Sequence, residues 1–197
     1  MSLRHRLHPS ALACVLITLV AAGCAMPPAH LDFAAPPGST DATPAVAKAD
    51  APRVYLAPLE DLRLDQENIG QVGGRPYRAA SIMPWLEQEL REQVAAHVQL
   101  VSVDSKPALI VHPRLHKLYV DGLSVTKAAI VVLELSFTTP EGENSRRVYR
   151  GQFAGMNWWN SEAEMKTALR LALKNCLERC GPDMNARTLL ASQPKPH

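Results

Sequence analysis

The residues able to do chemistry are few, and their spacing excludes most of the chemistry open to them. His112 and His116 are four apart, a spacing that chelates zinc on a helix. Pro113 lies between them and the flanking residues alternate, so the segment reads as a strand. Four residues along a strand span about 13 Å, too far for one ion. Gly70-Gln71-Val72-Gly73-Gly74 has no Lys-Ser/Thr after it and reads as a flexible loop, not a phosphate cradle. Glu60, Asp61, Asp65 and Glu67 crowd one stretch without the spacing of a calcium loop, and read as a solvated acidic loop. Ser, His and Asp occur, but no nucleophile motif gathers them. The sequence therefore nominates no catalytic residue, no metal ligand and no cofactor. Cys176 and Cys180 are also four apart, on one face of a helix. Their Cα atoms should lie about 6 Å apart, within disulfide range, yet their Cβ directions are nearly parallel. Both positions also continue an apolar stripe, where thiols pack as small hydrophobes. A disulfide, a packed thiol pair and a metal or redox role all stay open.

A further candidate is Cys24. Residues 1–10 carry Arg4 and Arg6 and no acid, and ALACVLITLVAA follows over residues 11–22. A basic start, a short apolar run and small residues at a cleavage point make an export signal. A permanent span needs about 20 apolar residues, so this run is too short. Val20-Ala21-Ala22-Gly23-Cys24 resembles the bacterial lipobox, although Ala21 stands where many have Leu. The motif predicts cleavage before Cys24, with a diacylglycerol and an N-acyl chain on that cysteine. More than one chain gives stable anchoring, because each buried methylene contributes about 0.8 kcal/mol.

Removing 23 residues from 197 leaves 174, and removing Arg4 and Arg6 from 21 basic residues leaves 19 against 19 acidic. A neutral mature chain does not point to nucleic acid. Residues 24–52 form a lipidated N-terminus and a Pro/Ala-rich linker, which should stay extended and hold the domain off the membrane. Residues 53–183 are enough for one core, and 184–197 read as a flexible tail.

The elements follow from periodicity. Arg53–Ala57 is a short strand, and 59–80, with Gly70, Gly73, Gly74 and Pro76, should be a long irregular loop. A helix starts near Pro84, with Ile82, Leu86, Leu90 and Val94 on one face and Trp85 beside them. Val98–Val103 is a short strand. Over Ala108–Val120 the alternation of Leu109, Val111, Pro113 and Leu115 slips at Leu118, which predicts a bulge. Pro113 favours an edge position or that bulge. Thr126–Thr138 alternates cleanly, Pro140-Glu141-Gly142 turns, and Arg147–Ala154 returns as a hairpin. Ser161 and Glu164 open a last helix that Gly181 and Pro182 should stop. The expected fold is α+β: a two-layer sandwich of four to five mostly antiparallel strands with two helices on one face, in the order β-α-β-β-β-β-α.

Leu118-Tyr119-Val120-Asp121, Lys127-Ala128-Ala129-Ile130, Tyr149-Arg150 and Ala168-Leu169, with Asp61-Leu62-Arg63 ahead of them, resemble in order and spacing the YajG-like family of bacterial lipoproteins. The likeness covers the lipobox and nearly all of 53–180. It implies an outer-membrane lipoprotein without an assigned activity, and it transfers no catalytic residue.

Two surfaces suggest binding. Asn157-Trp158-Trp159-Asn160 joins the hairpin to the last helix, and adjacent strand residues point to opposite faces. One Trp can enter the core while the other points outward; the alternative is that both cover the end of the core. Ile110, Ile130 and Val132 lie on the outward sheet face, where a partner, a second copy or the linker would cover them. The favoured function is a non-enzymatic binding or adaptor domain. It would be held by its lipid on the periplasmic side of the outer membrane and meet an envelope protein or itself. The alternative is an envelope hydrolase or transferase.

Overall fold

The computed structural model describes residues 27–33, 51–122, 125–156 and 161–191. Among the described residues nine strands form one curled, mixed sheet: β1 Ala29–His30, β2 Arg53–Leu56, β3 Glu60–Asp61, β4 Asn68–Val72, β5 Arg75–Arg78, β6 Gln99–Leu100, β7 Leu109–Gly122, β8 Thr126–Thr138 and β9 Asn144–Met156. Helix α1, Ile82–Ala95, precedes β6, and helix α2, Glu162–Ala191, follows β9.

Strand β7 is the spine. One edge pairs antiparallel with β8 from Ile110↔Thr138 to Gly122↔Lys127, and β8 pairs in turn with β9. Along the other edge β2, β3 and β4 run end to end, all parallel to β7, beside Leu109–Val111, Arg114–Leu115 and Val120–Gly122. The expected slip is present: the β7–β8 register shifts between Leu115 and Lys117, and the buried series Leu109, Val111, Leu115 continues as Leu118, Val120.

Several expectations need correction. The sheet has more strands than four to five; its long pairings, β7–β8 and β8–β9, are antiparallel as expected, and the short β1, β2, β3, β4 and β6 add parallel ones. The irregular loop over 59–80 is instead β3, β4 and β5. Gly70 belongs to β4 at φ 131°, where an added Cβ would lie 1.8 Å from the Val120 carbonyl oxygen. Pro113 lies in the interior of the sheet. The carbonyls of Val111 and Leu115 accept from Ala57 and Leu62, so the imide nitrogen of Pro113 faces the same edge. It meets that edge in the gap between β2 and β3, where no donor is required. Part of the linker is also docked on the sheet. Ala29 and His30 pair parallel with Tyr77 and Arg78 of β5, and Phe33 is 1% exposed, its ring 5.1 Å from that of Trp85.

One apolar core joins the inner sheet face to both helices. Ile82, Trp85, Leu86, Leu90 and Val94 of α1 are buried, as the periodicity predicts. Met165, Leu169, Leu173 and Leu177 of α2 meet Val131, Leu133, Leu135 and Phe137 of β8 in the same cluster. Each such side chain contributes about 1.5–3 kcal/mol by burial.

Helix α2 does not stop at Gly181. It runs through Pro182 to Ala191. An interior proline costs about 3 kcal/mol through a lost hydrogen bond and a steric clash. Contacts of the next turn offset this: Met184 is buried, Asp183 accepts from Arg147 and Tyr149, and Arg187 stacks 4.8 Å from the Phe137 ring centre. At the other end the Ser161 hydroxyl accepts from the Glu164 N–H at 3.3 Å. The Glu164 carboxylate also takes the ammonium of Lys127 at 2.8 Å.

Candidate interaction surface on the outer sheet face

The three long strands turn every second residue away from the helices. Cross-strand register arranges these residues in rows: Ile110–Thr138–Asn144, His112–Ser136–Arg146, Arg114–Glu134–Val148, Lys117–Val132–Arg150 and Tyr119–Ile130–Gln152. The expected apolar trio is thereby split. Ile130 and Val132 are next neighbours on β8, whereas Ile110 is eight residues along from the Ile130 row, about 27 Å away. All three are half-buried. Val148 of β9, opposite Glu134 and one row along from Val132, is 61% exposed.

Between the two apolar parts lies a charged cluster that sequence reading passed over. The Glu134 side chain is only 9% exposed, although it stands on the outer face. Arg114 reaches it at 3.3 Å, His116 at 3.3 Å and Arg146 at 3.6 Å, while Arg114 also holds Glu60 at 2.8 Å. Burial opposes ionisation of Glu134, but the hydrogen bond from Arg114 and the charges of Arg146 and His116 outweigh it and lower its pKa. The bulge places His116 and Lys117 on this face together, both exposed. Arg114, Lys117, Arg146 and Arg150 thus stand against the carboxylates of Glu134, Asp121 and the adjoining Glu60. The neutral chain carries a locally basic surface. Only the pairing register reveals it, because these residues come from three separated segments.

The acidic stretch before this surface is dispersed among protein partners. Glu60 engages Arg114, Asp61 engages Arg63, Asp65 accepts from the Asn68 N–H, and Glu67 engages Arg78. Arg63 is buried and donates to both carboxylate oxygens of Asp61 and to the carbonyls of Gln66 and Asn68. It fixes the turn between β3 and β4. Among the described residues no group of three His, Cys, Asp or Glu side chains could hold a metal.

Strand β9 pairs with β8 alone among the described strands. On its other edge the Gln152 N–H donates to the Asn175 side chain. Arg146 and Arg150 flank that edge, and charged residues discourage unspecific strand pairing.

A cleft of about 260 Å³ opens between the end of β9 and the start of α2, lined by Phe153, Met156, Ala163, Thr167 and Ala168. Its charged residues are Lys127, 3% exposed on its side chain, and Glu164, bound to each other. Trp158 and Trp159, like Cys24, lie outside the described residues.

Cys176 and Cys180 are free thiols in the core. The helix continues regularly past them, so their Cβ atoms stay parallel and the strain of a bridge is not relieved. Burial pushes the Cys176 thiol up to about 11, and burial with the neighbouring Cys176 pushes Cys180 up to about 12.

Neither the protein-family models nor the curated proteins compared with it match the chain. Solved structures do. Protein XCC0632 from Xanthomonas campestris, described with the family DUF330, is 12% identical over 84% of this chain and 99% of that one, with a TM-score of 0.54. At that identity the likeness shows a shared fold. Rare lipoprotein B from Shewanella oneidensis aligns over 71% of this chain and 99% of its own at 12% identity and a TM-score of 0.44. A minor lipoprotein from Acinetobacter baumannii aligns over 68% and 90% at 11% and 0.38. No helix among the described residues is long and apolar enough to cross a membrane.

Proposed function

We propose that the chain is a lipid-anchored envelope lipoprotein, related to the YajG-like group, whose outer sheet face is a docking surface for another envelope protein. The observation that carries this reading is the face itself. Val148 stands exposed one row along from Val132 and two rows from Ile130, with Arg146 and Arg150 on either side of it along β9 and Lys117 opposite Val132. Apolar contacts ringed by cations fit a partner that presents apolar and acidic groups. The lipobox at Cys24 supports the anchor, and Ala25 after it favours the outer membrane in the sorting pattern known for enteric bacteria. The lipoprotein names among the structural neighbours agree with an envelope setting.

The test is photocrosslinking in cells from position 148 of the full chain. One discrete adduct is expected, lost when Ile130 and Val132 are both replaced by Thr and weakened by Arg150→Glu. Both variants should remain folded. An adduct unchanged in the folded double variant would refute docking through this face.

A further inference from the structure

The first described segment changes how an anchor at Cys24 would act. As a free spacer, residues 25–52 could extend about 90 Å at the 3.3–3.6 Å per residue of an extended chain. Yet the chain is already docked on the sheet at Pro27. The Arg75 Nε–H donates to the Pro27 carbonyl at 2.9 Å, and Leu31 N–H donates to the Arg78 carbonyl at 2.9 Å. Ala29 and His30 pair with Tyr77 and Arg78, and Phe33 is held between the Trp85 ring and the ammonium of Lys166, 5.1 Å from its ring centre. Only Ala25 and Met26 separate this docked segment from Cys24. Three Cα–Cα steps reach about 10 Å.

Strand directions show which end of the domain the leash holds. β1 runs with β5, so Pro27 lies beside Arg75 at the turn between β4 and β5. β4 ends at Val72 opposite Gly122 of β7, Gly122 pairs with Lys127, and Thr126 pairs with Met156. Pro27, Val125 and Met156 therefore share one end of the sheet. Val125 and Met156 are each 68% exposed there, with no described neighbour to cover them.

Resting on the lipoprotein reading, we infer that this end of the sheet lies against the lipid surface, with Val125 and Met156 meeting the bilayer. The docked segment 27–33 is a clamp, and the domain is held on the membrane, not away from it. The outer face of β7–β9 then stands steeply to the bilayer, open to a partner from the side.

The experiment uses the full lipidated protein in vesicles of phosphatidylethanolamine and phosphatidylglycerol. A fluorescent amino acid is placed at position 125, 156 or 141, the last in the turn at the opposite end. Nitroxide lipids should quench positions 125 and 156 several-fold more than 141. Inserting about 12 Gly/Ser residues between Met26 and Pro27, a flexible coil, should abolish the difference. Equal quenching at all three positions of the acylated protein would overturn the inference. Acylation is read separately from the mass of the N-terminal peptide. If Cys24 carries no lipid, the lipoprotein reading falls, and coupling the Cys24 thiol to a maleimide lipid still decides whether the leash orients the domain.

Discussion

Gly151 of β9 lies directly beneath Cys176 of α2: a Cβ added to Gly151 would fall 2.5 Å from the Cys176 nitrogen and 2.6 Å from its Cβ. It would also fall 2.0 Å from the Ala172 carbonyl oxygen. The helix is seated on the sheet by backbone contact, which explains why small side chains, Ala172 and Cys176, occupy this turn. Gly151→Ala should cost about 3 kcal/mol in urea unfolding, since backbone on both sides must move. A loss below about 0.5 kcal/mol, the range of ordinary surface changes, would contradict this packing.

The same seat bears on the cysteines. Both thiols are buried and their pKa values raised, so almost no thiolate exists at neutral pH. Native protein from the periplasm should resist alkylation at both positions. Unfolded without reductant, it should take two labels. A species two hydrogens lighter that takes neither label would establish the disulfide instead.

Asp183 should govern acid stability at the far end of α2. The hydrogen bond from Tyr149, at 2.6 Å, lowers its pKa, burial opposes the shift, and Arg147 lowers it further. A carboxylate whose folded pKa lies below its unfolded value of about 3.9 stabilises the fold fully above that pH and progressively less below it. Asp183→Asn should flatten the loss of stability below about pH 4 attributable to this group, and Tyr149→Phe should flatten part of it. Unchanged acid limbs in both variants would remove Asp183 from the account.

Phe33 tests the clamp independently of any membrane. Phe33→Ala should destabilise the domain by about 3 kcal/mol and speed hydrogen exchange at Leu31, whose amide bonds to the Arg78 carbonyl. Exchange at Leu31 as fast in the wild type as in the variant would mean that the segment is not docked.

Periodicity carried the long elements. The four-residue recurrence of Ile82, Leu86, Leu90 and Val94 and the alternation through Phe137 are the buried faces observed, and the slip after Leu115 marks a real bulge. Of the short strands, Arg53–Ala57 and Val98–Val103 mark β2 and β6, but the others were illegible for a physical reason. β3, β4 and β5 have two to five residues each and exist because β7 and its neighbours offer them an edge. Gly181-Pro182 is a sound stop signal locally, overridden by the docking of Asp183 and Met184. In the Pro/Ala-rich tract, Leu31 and Phe33 were the one apolar pair that could have betrayed docking. The Glu134 cluster needed the register of three strands, which spacing within one segment does not contain.

The anchor at Cys24 bears most directly on the whole account. Cells expressing the chain or its Cys24→Ser variant are fed a clickable fatty-acid analogue, and the protein is followed through membrane fractionation. The wild type should carry the label and fractionate with the outer membrane, while the variant should be unlabelled and leave with the soluble periplasm. Equal labelling of the two, or a Cys24→Ser protein that still fractionates with membranes as the wild type does, would contradict the lipoprotein reading.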